Sequence, residues 1–215
     1  GNGTYGVALD PNQVYTLPAN GTYSGNALGG VLLFTEDLVF VQTQTWPKLD
    51  APYVIDGVLQ MGIGGRPAPT LTLRPGTEVR FTANSALTIG QEDNGPAVLI
   101  AEGTAAEPIR FIPNTQTPRR GHWSGLHIWR AAGTRLDHVV VAYGGAPGYI
   151  GTSNITVYKN PAPAITNSQL NWAGGCAIVT SSKARANTDV VTTNYALPEY
   201  GNSFTENSAD QQCSY

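Results

Sequence analysis

The sequence predicts an all-β protein whose short strands wind into a solenoid, and three observations support this prediction. Apolar segments of three to five residues recur along the chain, each bounded by Gly, Pro, Asn or Asp. No window of 11 residues or more keeps apolar residues at helical spacing without a Gly or Pro break. Several of the short segments also repeat in altered form, which is expected when each coil presents the same environment to the next.

Residues 70–82 show the pattern most clearly, because they read TLTLRPGTEVRFT, two alternating segments around a Pro-Gly turn. Leu-Thr-Leu at 71–73 returns as Leu-Thr-Ile at 87–89, and Val-Arg-Phe at 79–81 returns as Ile-Arg-Phe at 109–111. A β-sandwich has no reason to repeat itself in this way. The repetition therefore favours a solenoid over a sandwich.

Strand signals continue from residue 31 to residue 179, and alternation assigns their side chains to two faces. It points Leu126 and Ile128 towards the core, and it points His127, Trp129 and Arg80 outward. In chain order, the predicted strands are 31–34, 38–41, 53–55, 58–59, 71–73, 79–81, 87–89, 98–100, 109–111, 126–128, 139–141, 155–157, 165–166 and 177–179.

The charge of the chain excludes one class of function. The formal net charge is −3, the sequence pI is about 5.5 and only 13% of the residues are charged. A nucleic-acid-binding protein normally carries a basic face, so nucleic acid is not an expected partner. No apolar run approaches the ~20 residues that a membrane-spanning helix needs.

The two cysteines, Cys176 and Cys213, both lie in the last quarter of the chain. In an exported protein we expect them to form a disulfide. The bond would close a loop of about 37 residues, for which the chain-entropy model gives roughly 4 kcal/mol of stabilisation. Two buried thiols are the alternative. A metal site is not expected, because no His or second Cys lies near either cysteine at ligand spacing.

Several segments together resemble secreted bacterial proteins that fold as right-handed parallel β-helices. The resemblance covers residues 46–171, and 201–207 looks like one more coil. It implies a pectate-lyase-like coil architecture, found mostly in extracellular or surface modules without assigned chemistry. The segments are, in order, Trp46 with APYVI at 51–55, LTLRPGT at 71–77, AEGTA at 101–105, PIRF at 108–111, GHWSGL at 121–126, LDHV at 136–139 and YGG at 143–145.

The resemblance also suggests a division of the chain. A length of 215 residues fits one large all-β domain or two small ones. We predict a parallel β-helix domain at 46–215. Residues 1–45 would then be an N-terminal β segment that forms the end of a preceding β-helix unit.

Related polysaccharide lyases use carboxylates to hold calcium, and an Arg or Lys as the base. Here the acidic residues are dispersed, and neither adjacent acidic pair, 36–37 or 92–93, recurs one coil later. Calcium takes six to eight oxygen ligands, so no ligand cluster and no cofactor is predicted. The three histidines also lack the spacing of a familiar metal site.

Catalysis has weak support in the sequence. A glycosidase needs two carboxyl groups about 5 to 10 Å apart, and we expect no acidic neighbour one coil away from Asp137. If the protein is an enzyme, Asp137, His138 and Arg135 are the candidate catalytic residues. An enzyme would bring Asp137, Asp189 or Glu199 together with Arg130 or Arg135.

Outward aromatic and basic side chains give a better signal, for binding. The candidates are Trp129, His127, Tyr143, Arg80 and Arg110. Aromatic rings with hydroxyl and amide neighbours stack on sugar faces and hydrogen-bond to sugar edges. The alternative for Trp129 is packing beneath a loop.

These observations lead us to expect a bacterial module, secreted or on the cell surface, without catalytic activity. Its role would be structural, adhesive or the binding of a carbohydrate or another partner, as part of a longer surface protein. A lyase or hydrolase on the same fold is the first alternative. The second is a self-assembling structural element, because an open solenoid end exposes strand edges.

Overall fold

The computed structural model describes residues 3–35, 39–90, 95–129, 132–147, 152–180 and 190–214. These residues form short β-strands and two 3-10 helices, Pro11–Thr16 and Pro198–Tyr200. The strands are β1 (Tyr5–Leu9), β2 (Gly29–Phe34), β3 (Val39–Phe40), β4 (Gln44–Trp46), β5 (Tyr53–Asp56), β6 (Val58–Met61), β7 (Thr70–Leu73), β8 (Glu78–Phe81), β9 (Ala86–Ile89), β10 (Val98–Glu102), β11 (Ile109–Pro113), β12 (Gly125–Ile128), β13 (Arg135–Asp137), β14 (Val139–Ala142), β15 (Ile155–Val157), β16 (Ala164–Thr166), β17 (Gln169–Asn171), β18 (Ile178–Thr180), β19 (Ser203–Thr205) and β20 (Gln212–Ser214).

The strands belong to three sheets, and successive strands visit the sheets in turn. Sheet 1 has the order β1-β2-β5-β8-β11-β14-β17-β19, sheet 2 has β3-β6-β9-β12-β15-β18-β20, and sheet 3 has β4-β7-β10-β13-β16. Neighbouring strands are parallel throughout, as in the pairs β5–β8, β9–β12 and β10–β13. The protein is therefore a parallel β-helix, which confirms the predicted fold class.

Stacked apolar side chains fill the interior of the coil. In sheet 2, strand register places Leu59, Leu87, Leu126, Ile155 and Ile178 in one column, and each is at most 1% exposed. Fully burying one such side chain contributes about 1.5–3 kcal/mol, so these columns are the main source of stability.

The predicted alternation within the strands is confirmed in β8. Val79 and Phe81 are fully buried, whereas Arg80 between them is partly exposed on the outside. In sheet 1, Val79 continues a column that runs from Val31 through Tyr53 to Phe111.

Coil length varies along the chain, because the loops between strands differ. Tyr53 follows its register partner Val31 by 22 residues, whereas Phe204 follows Leu170 by 34. One of the longest loops joins β11 to β12 and contains Arg119, Arg120 and Trp123. Varying loops on a constant core place different side chains on the outer surface of each coil.

At one corner, the backbone turns from sheet 1 to sheet 2, and we call this the A corner. In each coil from β5 to β20, at least one residue of this turn has a positive φ, which favours glycine and asparagine over bulky side chains. The residues are Gly57 (94°), Asn84 (63°), Gly121 (69°), Tyr143 (65°), Trp172 (52°) and Glu206 (57°).

Polar side chains bridge backbone groups at the corners. The Asn154 Oδ1 accepts from the Gly144 N–H at 2.8 Å, while its Nδ2 donates to the Asn171 carbonyl at 2.9 Å. Ser168 Oγ accepts from the Val139 N–H at 3.1 Å. Buried backbone groups need such partners where the strand ladder is interrupted.

The N-terminal end of the coil is covered by the first 3-10 helix. Asn12 bonds to the Val39 carbonyl and the Val41 N–H, at 3.0 and 2.9 Å. Gln44 Nε2 donates to the Pro11 carbonyl at 3.0 Å. The edges of β3 and β4 are therefore occupied, which limits pairing with another chain at these strands.

At the other end, residues 195–202 cover the edge of sheet 3. The Asn167 N–H donates to the Tyr200 carbonyl at 2.8 Å, and the buried Tyr195 hydroxyl donates to the Pro163 carbonyl at 2.8 Å. A disulfide joins Cys176, just before β18, to Cys213 in β20. The predicted pairing of the two cysteines is thus present.

The strands before residue 46 share their sheets with the strands after it. β1 pairs with β2, and β2 pairs with β5, in sheet 1. The boundary predicted at residues 45–46 falls within β4. In the described part of the chain, neither 3-10 helix has the length or apolar character needed to cross a membrane.

Candidate functional site

Asp137, the central catalytic candidate, is held by hydrogen bonds within its own coil and from the next one. His138 Nδ1 lies 2.9 Å from Asp137 Oδ2. Thr166 Oγ1 and Asn167 Nδ2 both donate to Asp137 Oδ1, at 2.7 and 2.8 Å. Burial raises the pKa of the Asp137 carboxyl, but the hydrogen bonds from Thr166, His138 and Asn167 outweigh it, and the pKa lies below its ordinary value. Asp137 therefore ties two coils together as a carboxylate.

The expectation that Asp137 has no acidic neighbour one coil away is wrong. Glu102 in β10 is the register partner of Asp137 in β13, so the two residues are adjacent across the sheet. Adjacent strands are about 4.8 Å apart. The Glu102 carboxylate, however, accepts from Arg135 Nε at 2.6 Å. Arg135 is thus paired with Glu102, and its positive charge offsets part of the negative charge of the Glu102 and Asp137 carboxylates.

The unusual backbone of His138 has a structural explanation. His138 has a φ of 48°, and Asn167 at the same corner of the next coil has the same value. Gly76 and Gly201, at this corner in other coils, have φ values of 75° and 64°. A positive φ thus recurs at this turn in coils without a catalytic candidate, although the β10–β11 turn lacks it, so by itself it carries no information about catalysis.

A metal centre finds no support in the described ranges of the chain, where no three His, Cys, Asp or Glu side chains lie close enough to share an ion. The acidic pairs at 36–37 and 92–93 lie outside the described residues, as do Asp189 and Arg130. Glu199 lies in the second 3-10 helix.

His127 is not a solvent-facing residue, and this corrects the sequence-based expectation. Its register neighbours Thr88 and Thr156 confirm that it belongs to the outer column of sheet 2, but its side chain is only 1% exposed. Its Nδ1 lies 2.8 Å from the Tyr158 hydroxyl. Burial lowers the pKa of His127 to about 4, so the imidazole is neutral at pH 7. Alternation correctly places His127 on the outer side of the strand, but it cannot show that Tyr158 packs against this position and that the side chain is buried.

Trp129 also packs against Tyr158. Its ring stacks on that of Tyr158, with centroids 3.9 Å apart and planes 5° from parallel. Trp129 is partly exposed, whereas Tyr158 is only 6% exposed. Trp123, in contrast, is fully buried and stacks on Phe81 with centroids 3.9 Å apart.

The two predicted arginines lie on the outside of sheet 1. Arg80 Nε donates to Glu78 Oε1 at 2.6 Å, and Arg110 is the register partner of Glu78 in the next strand. Arg110 is exposed. Exposed ion pairs of this kind contribute little stability, so both arginines are free to serve a surface role.

Tyr143 lies at the A corner, in an arrangement that the sequence does not reveal. Its ring stacks on that of Trp172, the corner residue of the next coil, with centroids 5.0 Å apart and planes 11° from parallel. Both side chains are partly exposed. We call the two rings the aromatic column. Trp172 follows β17 in a turn reading Asn-Trp-Ala-Gly, and only strand register shows that it aligns with Tyr143.

Charged side chains flank the aromatic column on both sides. The His122 N–H donates to the Tyr143 carbonyl, and the Trp172 N–H donates to the carbonyl of Thr205, next to Glu206. Arg120 Nη2 donates to Glu206 Oε2 at 3.0 Å. The ion pair therefore joins the coil before Tyr143 to the coil after Trp172.

A depression adjoins the column on the side of Tyr143. It encloses about 380 Å³, within the range of small-ligand sites, and is lined by Ala83, Asn84, Arg119, Arg120, Gly121 and His122. Gly121 lies against the backbone of Gly145, and the next residue, His122, donates its N–H to the Tyr143 carbonyl. The A corner thus combines a recess, two aromatic rings and several charged groups.

Comparison with protein-family models, curated proteins and solved structures gives no match to this chain.

Proposed function

We propose that this protein is a carbohydrate-binding β-helix module, and that the aromatic column of Tyr143 and Trp172 is the main contact for the sugar. The observation that carries the proposal is the presence of two large aromatic side chains at left-handed backbone positions. Earlier coils place Gly57, Asn84 and Gly121 at this corner.

Aromatic residues at these positions oppose the stability of the fold. A left-handed conformation costs an ordinary residue roughly 1–2 kcal/mol, and glycine avoids this cost. Stacking of the two rings returns about 0.5–1.5 kcal/mol beyond their burial, an amount comparable with the strain of one residue. Backbone strain of this kind clusters at functional sites, which supports a role of the two rings in binding.

The chemistry of the corner suits a sugar. A sugar ring has apolar C–H faces that pack on aromatic rings, and hydroxyl edges that need hydrogen bonds. The recess adjoins Tyr143, because His122, which lines it, donates its backbone N–H to the Tyr143 carbonyl. Arg120, Glu206 and Asn84 place donors and acceptors around the same corner.

We place this module outside the cell, in a secreted or surface protein of a bacterium. The Cys176–Cys213 disulfide supports an oxidising compartment. The sequence resemblance to secreted bacterial β-helix proteins supports the same placement.

The test is a screen of the purified protein against an array of glycans and against insoluble polysaccharides. We expect binding that is lost in Trp172→Ala and in Tyr143→Ala. Tyr15→Ala is the matched control, because Tyr15 is an exposed aromatic residue, 60% exposed, in the N-terminal 3-10 helix.

The control must keep full binding. Circular dichroism must show that all three variants keep the wild-type fold. If both column variants bind every glycan as well as the wild type does, the aromatic column is not the site. Loss of binding in Tyr15→Ala as well would point to a nonspecific aromatic contact.

A carbohydrate-active enzyme is the second candidate, and the adjacent Glu102 and Asp137 favour it. Two carboxylic residues on adjacent strands are the kind of pair that a glycosidase requires. An assay of reducing ends and of unsaturated products on the bound glycans tests it. Activity that disappears in Asp137→Asn would support the enzyme over a binding module without catalysis.

A further inference from the structure

We propose that the depression at Asn84, Arg119, Arg120 and His122 binds an oxoanion, a carboxylate or sulfate group carried by the glycan at the A corner. This inference rests on the proposed function and adds the chemical class of its ligand. The recess adjoins Tyr143, because its lining residue His122 donates a backbone N–H to the Tyr143 carbonyl. A sugar ring packed on Tyr143 would therefore bring its substituents into it.

Positive charge is concentrated here in a chain whose formal net charge is −3. Arg119 and Arg120 are adjacent and exposed, and both line the recess. Within the described part of the chain, the acidic partner at this corner is Glu206, which is bound to Arg120. No ion pair of Arg119 is found among the described residues.

The guanidinium group is well suited to this ligand. Its planar set of N–H donors matches the two oxygens of a carboxylate or sulfate, which gives short, charge-assisted hydrogen bonds. The Arg120–Glu206 pair is solvent-exposed, with side-chain exposures of 42% and 64%. Such a pair is weak, so Arg120 can exchange Glu206 for an incoming anion at small cost.

His122 gives an independent sign of the local field. Its imidazole is partly buried, and burial together with the charge of Arg119 lowers its pKa. A bound anion would offset the charge of Arg119, so the pKa of His122 should rise when the recess is filled. The His122 ring is therefore a spectroscopic reporter of occupancy.

The experiment compares three oligosaccharides of equal length by calorimetry: a uronate, its carboxyl-reduced neutral form, and a sulfated form of the same neutral chain. We expect one acidic form to bind about tenfold more tightly than the neutral form, since a charged hydrogen bond is at stake. Arg119→Gln should remove that preference. Arg66→Gln is the control, because Arg66 is an exposed arginine in the β6–β7 loop.

Inorganic sulfate is a separate probe, followed through the His122 ring resonances. We expect saturable shifts in the wild type and in Trp172→Asn, and much weaker shifts in Arg119→Gln. The acidic arm that binds more tightly identifies the source as carboxylate or sulfate.

The outcomes separate the two proposals. Equal affinity for acidic and neutral forms, or acidic binding that Arg119→Gln leaves unchanged, overturns the anion site while the aromatic column stands. Sulfate binding that depends on Arg119, without any effect of Trp172→Asn on glycan affinity, supports the anion site and overturns the column.

Discussion

The rings of Tyr143 and Trp172 stack 5.0 Å apart at left-handed positions of two consecutive coils. At the same corner, Gly57, Asn84 and Gly121 adopt the same left-handed backbone conformation without a large side chain. The fold therefore builds the turn with or without an aromatic ring. This separation of turn and side chain makes the column open to direct tests.

Trp172→Asn should leave stability nearly unchanged. The substitution removes a ring stack worth about 0.5–1.5 kcal/mol together with the burial of a partly exposed ring, and it relieves strain of about 1–2 kcal/mol, since asparagine tolerates positive φ. We expect a free energy of unfolding within about 1 kcal/mol of the wild type, measured by urea denaturation.

Trp172→Ala is the matched comparison for this prediction. Alanine loses the stack and keeps the backbone strain, so it should be less stable than the asparagine variant by about 1 kcal/mol. Equal stability of the two variants would show that strain at residue 172 is negligible.

Removing the disulfide should loosen only the last coils. The Cys176–Cys213 bond spans 37 residues of sequence, and its loss, in a variant with both cysteines changed to serine, should cost about 2–4 kcal/mol. In a solenoid each coil contacts mainly its neighbours, so faster amide exchange should be confined to β18 and β20.

The amides of β5 and β8 serve as the internal control for the disulfide variant. They lie many coils away in sheet 1 and should keep their protection. A uniform rise of exchange across all three sheets would instead mean that the protein unfolds as one cooperative unit.

The fold could be predicted because its information is local. The alternation at residues 79–81 matches the burial of Val79 and Phe81, and the repeat at 109–111 lies one coil further along, in β11 next to β8. The repeat of 71–73 at 87–89 instead falls in a different sheet, because β7 belongs to sheet 3 and β9 to sheet 2. Short-range patterns such as these report which face of a strand is buried.

The outer surface could not be predicted in the same way, because it depends on register and on covering loops. Glu102 and Asp137 are 35 residues apart in sequence, and the long loop before β12 hides their adjacency. His127 has the pattern of an outward residue, yet it is buried and lies against Tyr158. Contacts between coils of unequal length leave no periodic signal.

Trp123 should be the most important single aromatic residue for stability. It is fully buried, stacks on Phe81 and donates its Nε1–H to the Ala142 carbonyl at 2.8 Å. Trp123→Ala should cost about 3–5 kcal/mol of unfolding free energy. Trp123→Phe keeps much of the stack and should lose no more than about half as much.

Trp129→Ala is the comparison for Trp123→Ala, because the Trp129 ring is partly exposed. We expect a cost below about 2 kcal/mol, since less apolar area leaves the interior. If the two alanine variants were equally unstable in urea, Trp129 would have to be counted as part of the core.

Buried His127 should make the protein less stable in mild acid. Burial lowers its pKa in the folded state to about 4, while the unfolded chain keeps the ordinary value near 6.5. As the pH falls, the unfolded chain binds the proton first. Stability is therefore complete above about pH 6.5 and declines towards pH 4, by about 3 kcal/mol in all.

His127→Thr isolates this effect, because threonine already occupies the register positions on both sides, Thr88 and Thr156. The variant should have a flatter curve of unfolding free energy between pH 5 and 7, where carboxylates such as Asp137 stay ionised. The pKa of His122 is also lowered, and its contribution to the pH dependence of the unfolding free energy is present in both proteins. Tyr158→Phe removes the hydroxyl next to Nδ1 while the imidazole stays buried, so it should keep the wild-type slope. An unchanged slope in His127→Thr would mean that another group controls the acid response.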